Sequence, residues 1–118
     1  NIFVLGGNMN YTGEVYNTSS RTWALTSDMK TERYGCAAAA VDDKIYLVGG
    51  FFAGVGFLSS AEVYNSSSRT WTCIADMGTK RCGFSAAAVG DKIYVFGGWD
   101  GENNLSSTEV YDISSKTW

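Results

Sequence analysis

Short apolar runs ending on paired glycines punctuate the chain at a near-constant interval. Lys44-Ile45-Tyr46-Leu47-Val48-Gly49-Gly50 returns as Lys92-Ile93-Tyr94-Val95-Phe96-Gly97-Gly98, and Asn1-Ile2-Phe3-Val4-Leu5-Gly6-Gly7 opens the chain. A second mark, Glu14-Val15-Tyr16, recurs as Glu62-Val63-Tyr64 and Glu109-Val110-Tyr111. Each of these tyrosines precedes a tryptophan by seven residues: Trp23, Trp71 and Trp118, spaced 48 and 47 residues apart. Self-similarity of this length marks a repeat architecture in which each copy is one supersecondary unit.

One copy divides into four short strands, a to d. Strand a spans roughly 35–41, strand b 44–48, strand c 61–64, and strand d begins at Thr70-Trp71. The a–b links Asp42-Asp43 and Gly90-Asp91 are two-residue hairpin turns, because Gly and Asp tolerate the positive φ such turns need. The c–d links start with Asn17, Asn65 and Asp112, whose side chains bond turn backbone. Helix propensity peaks in the alanine run 37–40 and conflicts with this division. Strand is preferred there, because the next copy reads Phe84-Ser85-Ala86-Ala87-Ala88-Val89 before the same turn and seven residues are too few for a stable helix. Small side chains suit an innermost strand, where several strands crowd one axis.

Composition narrows the chemistry. The 118 residues are 45% hydrophobic and 18% charged, with 14 glycines and no proline, as a packed chain of strands and tight turns requires. A net charge of −3, dispersed along the chain, argues against nucleic acid or an anionic membrane as partner. No histidine is present, which excludes Ser-His-Asp and Cys-His catalysis and His-ligated metal. Cys36, Cys73 and Cys82 are an odd set without CxxC spacing, so they read as reduced small hydrophobes, which favours the cytoplasm. No apolar stretch approaches the roughly 18 to 20 residues of a bilayer span, and no signal peptide opens the chain. No metal and no cofactor are expected.

The double glycine, the later tyrosine and the tryptophan at a fixed step beyond it resemble the kelch repeat over nearly the whole chain. The resemblance implies an all-β fold, a β-propeller whose repeats are four-stranded antiparallel blades. About ten strands then give about two and a half blades. Residues 1–33 supply strands b, c and d of a first blade, 34–81 a complete blade, and 82–118 a blade lacking most of strand d. Propellers typically close with about 4 to 8 blades. The chain is therefore expected to be an excerpt of a larger propeller, completed by further blades in cis or by a homo-oligomer. It departs from the family in lacking proline in the loops 28–33 and 76–81.

The recurring residues read as scaffold: Gly6, Gly7, Gly49, Gly50, Gly97 and Gly98 where strand b ends, and Tyr16, Tyr64, Tyr111, Trp23, Trp71 and Trp118 as core between and within blades. Glu14, Glu62 and Glu109 read as strand-face residues paired with a backbone or basic group. Function is sought where the copies differ. The stretch from last glycine to tyrosine is 9, 14 and 13 residues, so the b–c loop varies on a constant frame. The kelch resemblance implies that b–c and d–a loops open on one face that grips a partner. By position, that face carries Asn8, Asn10 and Tyr11, then Phe51, Phe52 and Phe57, then Trp99, Asp100 and Asn103. Arg33, Tyr34 and Arg81 join it from the d–a loops. Phe51, Phe52 and Trp99 read either as hot-spot anchors or as rings folded back over the blade edge. Arg33 and Arg81 share one repeat position and read either as a structural salt link or as contacts for an acidic peptide. Four Asn-x-Ser/Thr triplets start at Asn10, Asn17, Asn65 and Asn104 and read as turn chemistry rather than glycan sites.

The leading expectation is a module that binds a protein or peptide and performs no catalysis. One alternative is the scaffold portion of a propeller enzyme of oxidase or sugar-processing type. The other is a structural fragment that self-assembles through bare blade edges.

Overall fold

Twelve strands and no helix make up the described residues, 1–5 and 12–118, of the computed structural model. In chain order they are β1 (Ile2–Leu5), β2 (Gly13–Asn17), β3 (Thr22–Leu25), β4 (Ala37–Val41), β5 (Lys44–Val48), β6 (Phe51–Phe52), β7 (Gly56–Phe57) and β8 (Ala61–Asn65). β9 (Thr70–Ile74), β10 (Ser85–Val89), β11 (Lys92–Phe96) and β12 (Thr108–Asp112) follow. They form antiparallel sheets of order β1-β2-β3, β4-β5-β8-β9 and β10-β11-β12, with β6-β7 a separate hairpin. The alanine run is strand, as its repeat context required. β4 and β10 are the edge strands that bring two neighbouring sheets together. Small side chains permit that approach. The fold is all-β and forms part of a propeller.

Turn chemistry sets the register. The a–b hairpins pair Val41 with Lys44 and Val89 with Lys92, and φ is +54° at Asp42 and +59° at Gly90. In the c–d turns the side-chain oxygens of Asn17, Asn65 and Asp112 each accept two backbone N–H groups. Those turns then close on Arg21, Arg69 and Lys116, all left-handed at φ near +57° to +58°. Basic residues at positive φ are uncommon, and the sequence carried no mark of them. The paired glycines have a different task. Gly50 has φ +101° and donates its N–H to the Arg81 carbonyl at 2.7 Å, while a Cβ there would stand 2.5 Å from the Tyr34 carbonyl oxygen. Gly98 repeats the squeeze against the carbonyl of Cys82.

Alternation along strand b distributes the core. In β5, Ile45 and Leu47 face the first sheet and join Phe3, Leu5, Met29, Tyr64 and Trp71. Tyr46 and Val48 point the other way and pack with Ile93, Val95, Tyr111 and Met77 of the third unit and its approach. A period of two on a central strand thus feeds two seams at once. Each fully buried aliphatic side chain contributes about 1.5–3 kcal/mol. Every seam also carries one hydrogen bond in the same register. Trp71 Nε1 donates to the Ser27 carbonyl at 2.9 Å, and Trp118 Nε1 donates to the Ala75 carbonyl at 2.7 Å.

Trp23 corrects the expectation that all three tryptophans lie in the core. It packs on Tyr16 at 5.0 Å between ring centroids, yet it is 55% exposed where Trp71 is 4% exposed. Its seam side meets no earlier sheet within these residues. Ile2, Val4 and Leu25 are exposed with it, and Phe96 and Val110 are exposed on the opposite outer face.

The three cysteines are free, and they differ in burial: Cys73 is exposed while Cys36 and Cys82 are half-buried. Burial is the main influence on the Cys36 thiol and pushes its pKa up, with Arg33 opposing. Thiolate is the reactive form. A maleimide time course near pH 7.5, read by mass spectrometry, is therefore expected to label Cys73 first and Cys36 at least about tenfold more slowly. Equal rates would contradict the burial of Cys36.

Candidate interaction surface

The b–c connection of the second sheet is more ordered than a loop. β6 and β7 pair Phe51 with Phe57 and Phe52 with Gly56. The other edge of β6 is taken by Tyr34, whose N–H donates to the Phe51 carbonyl at 2.9 Å while the Phe51 N–H donates to the Tyr34 carbonyl at 2.8 Å. The next repeat builds the same ladder from different residues: Cys82 and Trp99 exchange two bonds of 2.9 Å, and Trp99 bridges to Asn104. Tyr34 and Cys82 are 48 residues apart, as are Phe51 and Trp99. Two aromatic residues therefore occupy equivalent seats on adjoining blades.

Phe57 joins those seats. Its ring centroid lies 5.0 Å from that of Phe51 and 5.1 Å from that of Trp99, edge to face in both cases. Such pairs add about 0.5–1.5 kcal/mol each beyond their burial. Gly101 makes the room, since a Cβ there would stand 2.8 Å from the Phe57 ring. Phe51, Phe52 and Phe57 are half-buried, whereas Trp99 is 44% exposed and Val55, beside the hairpin tip, 71% exposed. The rings fold onto one another and leave an apolar ledge facing solvent at Trp99 and Val55. The linking hairpin was not legible, because two-residue strands show no alternation to read.

Polar groups flank the ledge. Asp100 Oδ1 accepts the N–H groups of Asn103 at 2.8 Å and Glu102 at 2.9 Å, and these two donors hold its carboxyl below the usual carboxylate range. The Tyr34 hydroxyl donates to Glu32 Oε1 at 2.9 Å, and Glu32 is buried. Asn103 is exposed. Asn8, Asn10 and Tyr11, with Gly6 and Gly7, lie outside the described residues.

Arg33 and Arg81 do not belong to the ledge, which corrects their placement among partner-contacting residues. They are 1% and 0% exposed. Arg33 Nε donates to Glu62 Oε2 at 3.0 Å, Nη1 to the carbonyls of Gly49 and Ser60, and Nη2 to Ser60 Oγ. Arg81 repeats every bond with Glu109, Gly97 and Ser107. The fork ties each d–a loop to strand c and to the exit of strand b in the blade that follows. Four of the five N–H donors of each guanidinium are used within the scaffold, and burial of the group withdraws it from a partner. Glu62 and Glu109 are thereby the strand-face residues paired with a basic group that the sequence anticipated.

Among the described residues no group of three or more His, Cys, Asp or Glu is placed to hold a metal ion, and no helix is long and apolar enough to cross a membrane. Sheets joined in repeat register, meeting along alanine-rich edges and carrying divergent loops, define the class: a repeat-built β-propeller scaffold. The chain belongs to the kelch-repeat family. Residues 1–118 match the family described as the KLHDC2/KLHL20/DRC7 Kelch-repeats domain. Kelch-like protein 25 of Rattus norvegicus and that of Mus musculus are each 35% identical to this chain over 54 residues. The match covers 43% of this chain and 9% of the length of each relative.

Proposed function

We propose that this kelch-repeat module binds a protein or peptide partner on the ledge formed by Phe51, Phe57 and Trp99, with Phe52, Val55 and Tyr34 at its border. The observation that carries the reading is the ring row itself, held in register across two adjoining blades and still exposed at Trp99 and Val55. Exposed aromatic anchors on a rigid frame are the usual hot spots of an interface. Binding proceeds by shape and charge complementarity, with no bond made or broken. The blades run over 1–33, 34–81 and 82–118, and the apolar outer faces at Trp23 and Phe96 are covered by further blades in cis or by a second copy. Free thiols favour the reducing cytoplasm as the compartment.

Trp99→Ala is expected to weaken capture of partners about thirtyfold, equivalent to about 2 kcal/mol for a hot-spot ring, while the protein stays folded and loss of the Phe57 contact lowers the melting temperature by only a few degrees. Affinity capture with quantitative mass spectrometry, run beside Lys116→Ala in the c–d turn at the other end of the blade, checks it. Equal capture by all three proteins would remove the ledge from the interface.

A further inference from the structure

We infer that the ledge takes a cationic apolar segment, one that alternates an aliphatic or aromatic residue with arginine or lysine. The inference rests on the contact face proposed above and adds the chemistry of what sits there. It begins with the two guanidinium groups. Arg33 and Arg81 were the natural seats for an acidic peptide, and both are withdrawn into buried links with Glu62 and Glu109. What remains charged at this end of the blades is predominantly acidic. The described d–a and b–c loops carry five other carboxylates, on Asp28, Glu32, Asp76, Asp100 and Glu102, against two ammonium groups, on Lys30 and Lys80.

Two of those acids, Asp100 and Glu102, share the b–c loop that carries Trp99. Asp100 follows Trp99 directly, and neither it nor Glu102 takes part in an ion pair among the described residues. Both backbone donors on Asp100 go to the same oxygen, Oδ1, which orients the carboxylate and leaves Oδ2 for an outside donor. An exposed indole beside an ionised carboxylate suits a guanidinium or ammonium, which gains from the ring quadrupole and the charge together. The apolar half of the segment meets Phe57, Phe51 and Val55. Ring steps of 5.0 and 5.1 Å match three to four extended residues at about 3.3 Å each, so neighbouring side chains of one short segment reach both halves.

Two fluorescein-labelled, amidated peptides test this, Arg-Leu-Arg-Leu-Arg and Glu-Leu-Glu-Leu-Glu, titrated with the protein and followed by fluorescence anisotropy. At about 50 mM salt the arginine peptide is expected to bind at least about tenfold tighter, and the advantage to shrink to about threefold near 0.5 M. Glu102→Gln, whose side chain closes no turn, should remove part of the preference, and Asp100→Asn with Glu102→Gln most of it. Trp99→Ala should abolish binding of the arginine peptide. Failure of the arginine peptide to bind, or a preference untouched by both acid variants, overturns the inference. If the glutamate peptide binds better and Trp99→Ala abolishes that binding, the ledge stands and its assigned charge preference falls. If Trp99→Ala leaves binding of the preferred peptide intact, the ledge falls as well.

Discussion

Arg33→Ala is expected to destabilise the protein by about 3–5 kcal/mol, because it strands Glu62, fully buried, without a counter-charge. Urea unfolding followed by tryptophan fluorescence measures it. Arg33→Lys should recover little, since an ammonium cannot reproduce a planar fork that serves a carboxylate, two carbonyls and a hydroxyl at once. Arg81→Ala makes the internal comparison. Its partner Glu109 is 19% exposed, so water reaches the orphaned carboxylate and the loss should be smaller. Were both alanine variants to cost under about 1 kcal/mol, the link would be ornament on a frame held by packing alone.

The second large effect lies at the seams. Trp71→Ala should cost about 3–5 kcal/mol, the range for deleting a large buried aromatic. It removes the bond to the Ser27 carbonyl, the tilted contact with Tyr64 at 5.1 Å and the packing on Met29. Trp23→Ala in the 118-residue chain should cost about 1 kcal/mol or less, because its seam side meets no sheet there. In a protein where another blade precedes it, the same substitution should approach the cost at Trp71. Thermal unfolding of the two variants side by side decides; equal losses in the 118-residue chain would contradict the seam account.

Most of the frame was legible because it is written three times. The Gly-Gly stops, the Asn and Asp turn residues and the hairpins at Asp42 and Gly90 each follow from local stereochemistry, and repetition overruled the one misleading signal, helix propensity in Ala37–Ala40. What escaped was non-local. The sequence showed Arg33 and Arg81 at one repeat position but not their burial, since nothing local says that Glu62, 29 residues on, will fold back to meet the guanidinium. It showed Phe51, Phe57 and Trp99 as loop aromatics but not as neighbours, because the first two meet in a hairpin too short to read and Phe57 meets Trp99 only where two blades lie side by side and Gly101 clears the space. Trp23 was misjudged for the opposite reason: repetition promised it a setting that only a preceding sheet provides.

The tryptophan bond at each seam reaches back nearly the same distance, 44 residues from Trp71 to Ser27 and 43 from Trp118 to Ala75. Each blade is thus fastened to its predecessor by its own last strand, and the joint is nearly identical at every step. A chain built this way behaves as a one-dimensional array, its cohesion a sum of intrinsic and nearest-neighbour parts. Gene duplication that inserts a whole 48-residue module would renew every joint unchanged, whereas a module cut short by a few residues would leave one indole with no carbonyl to hold. Ring size is then free to vary by whole steps while the joinery stays constant.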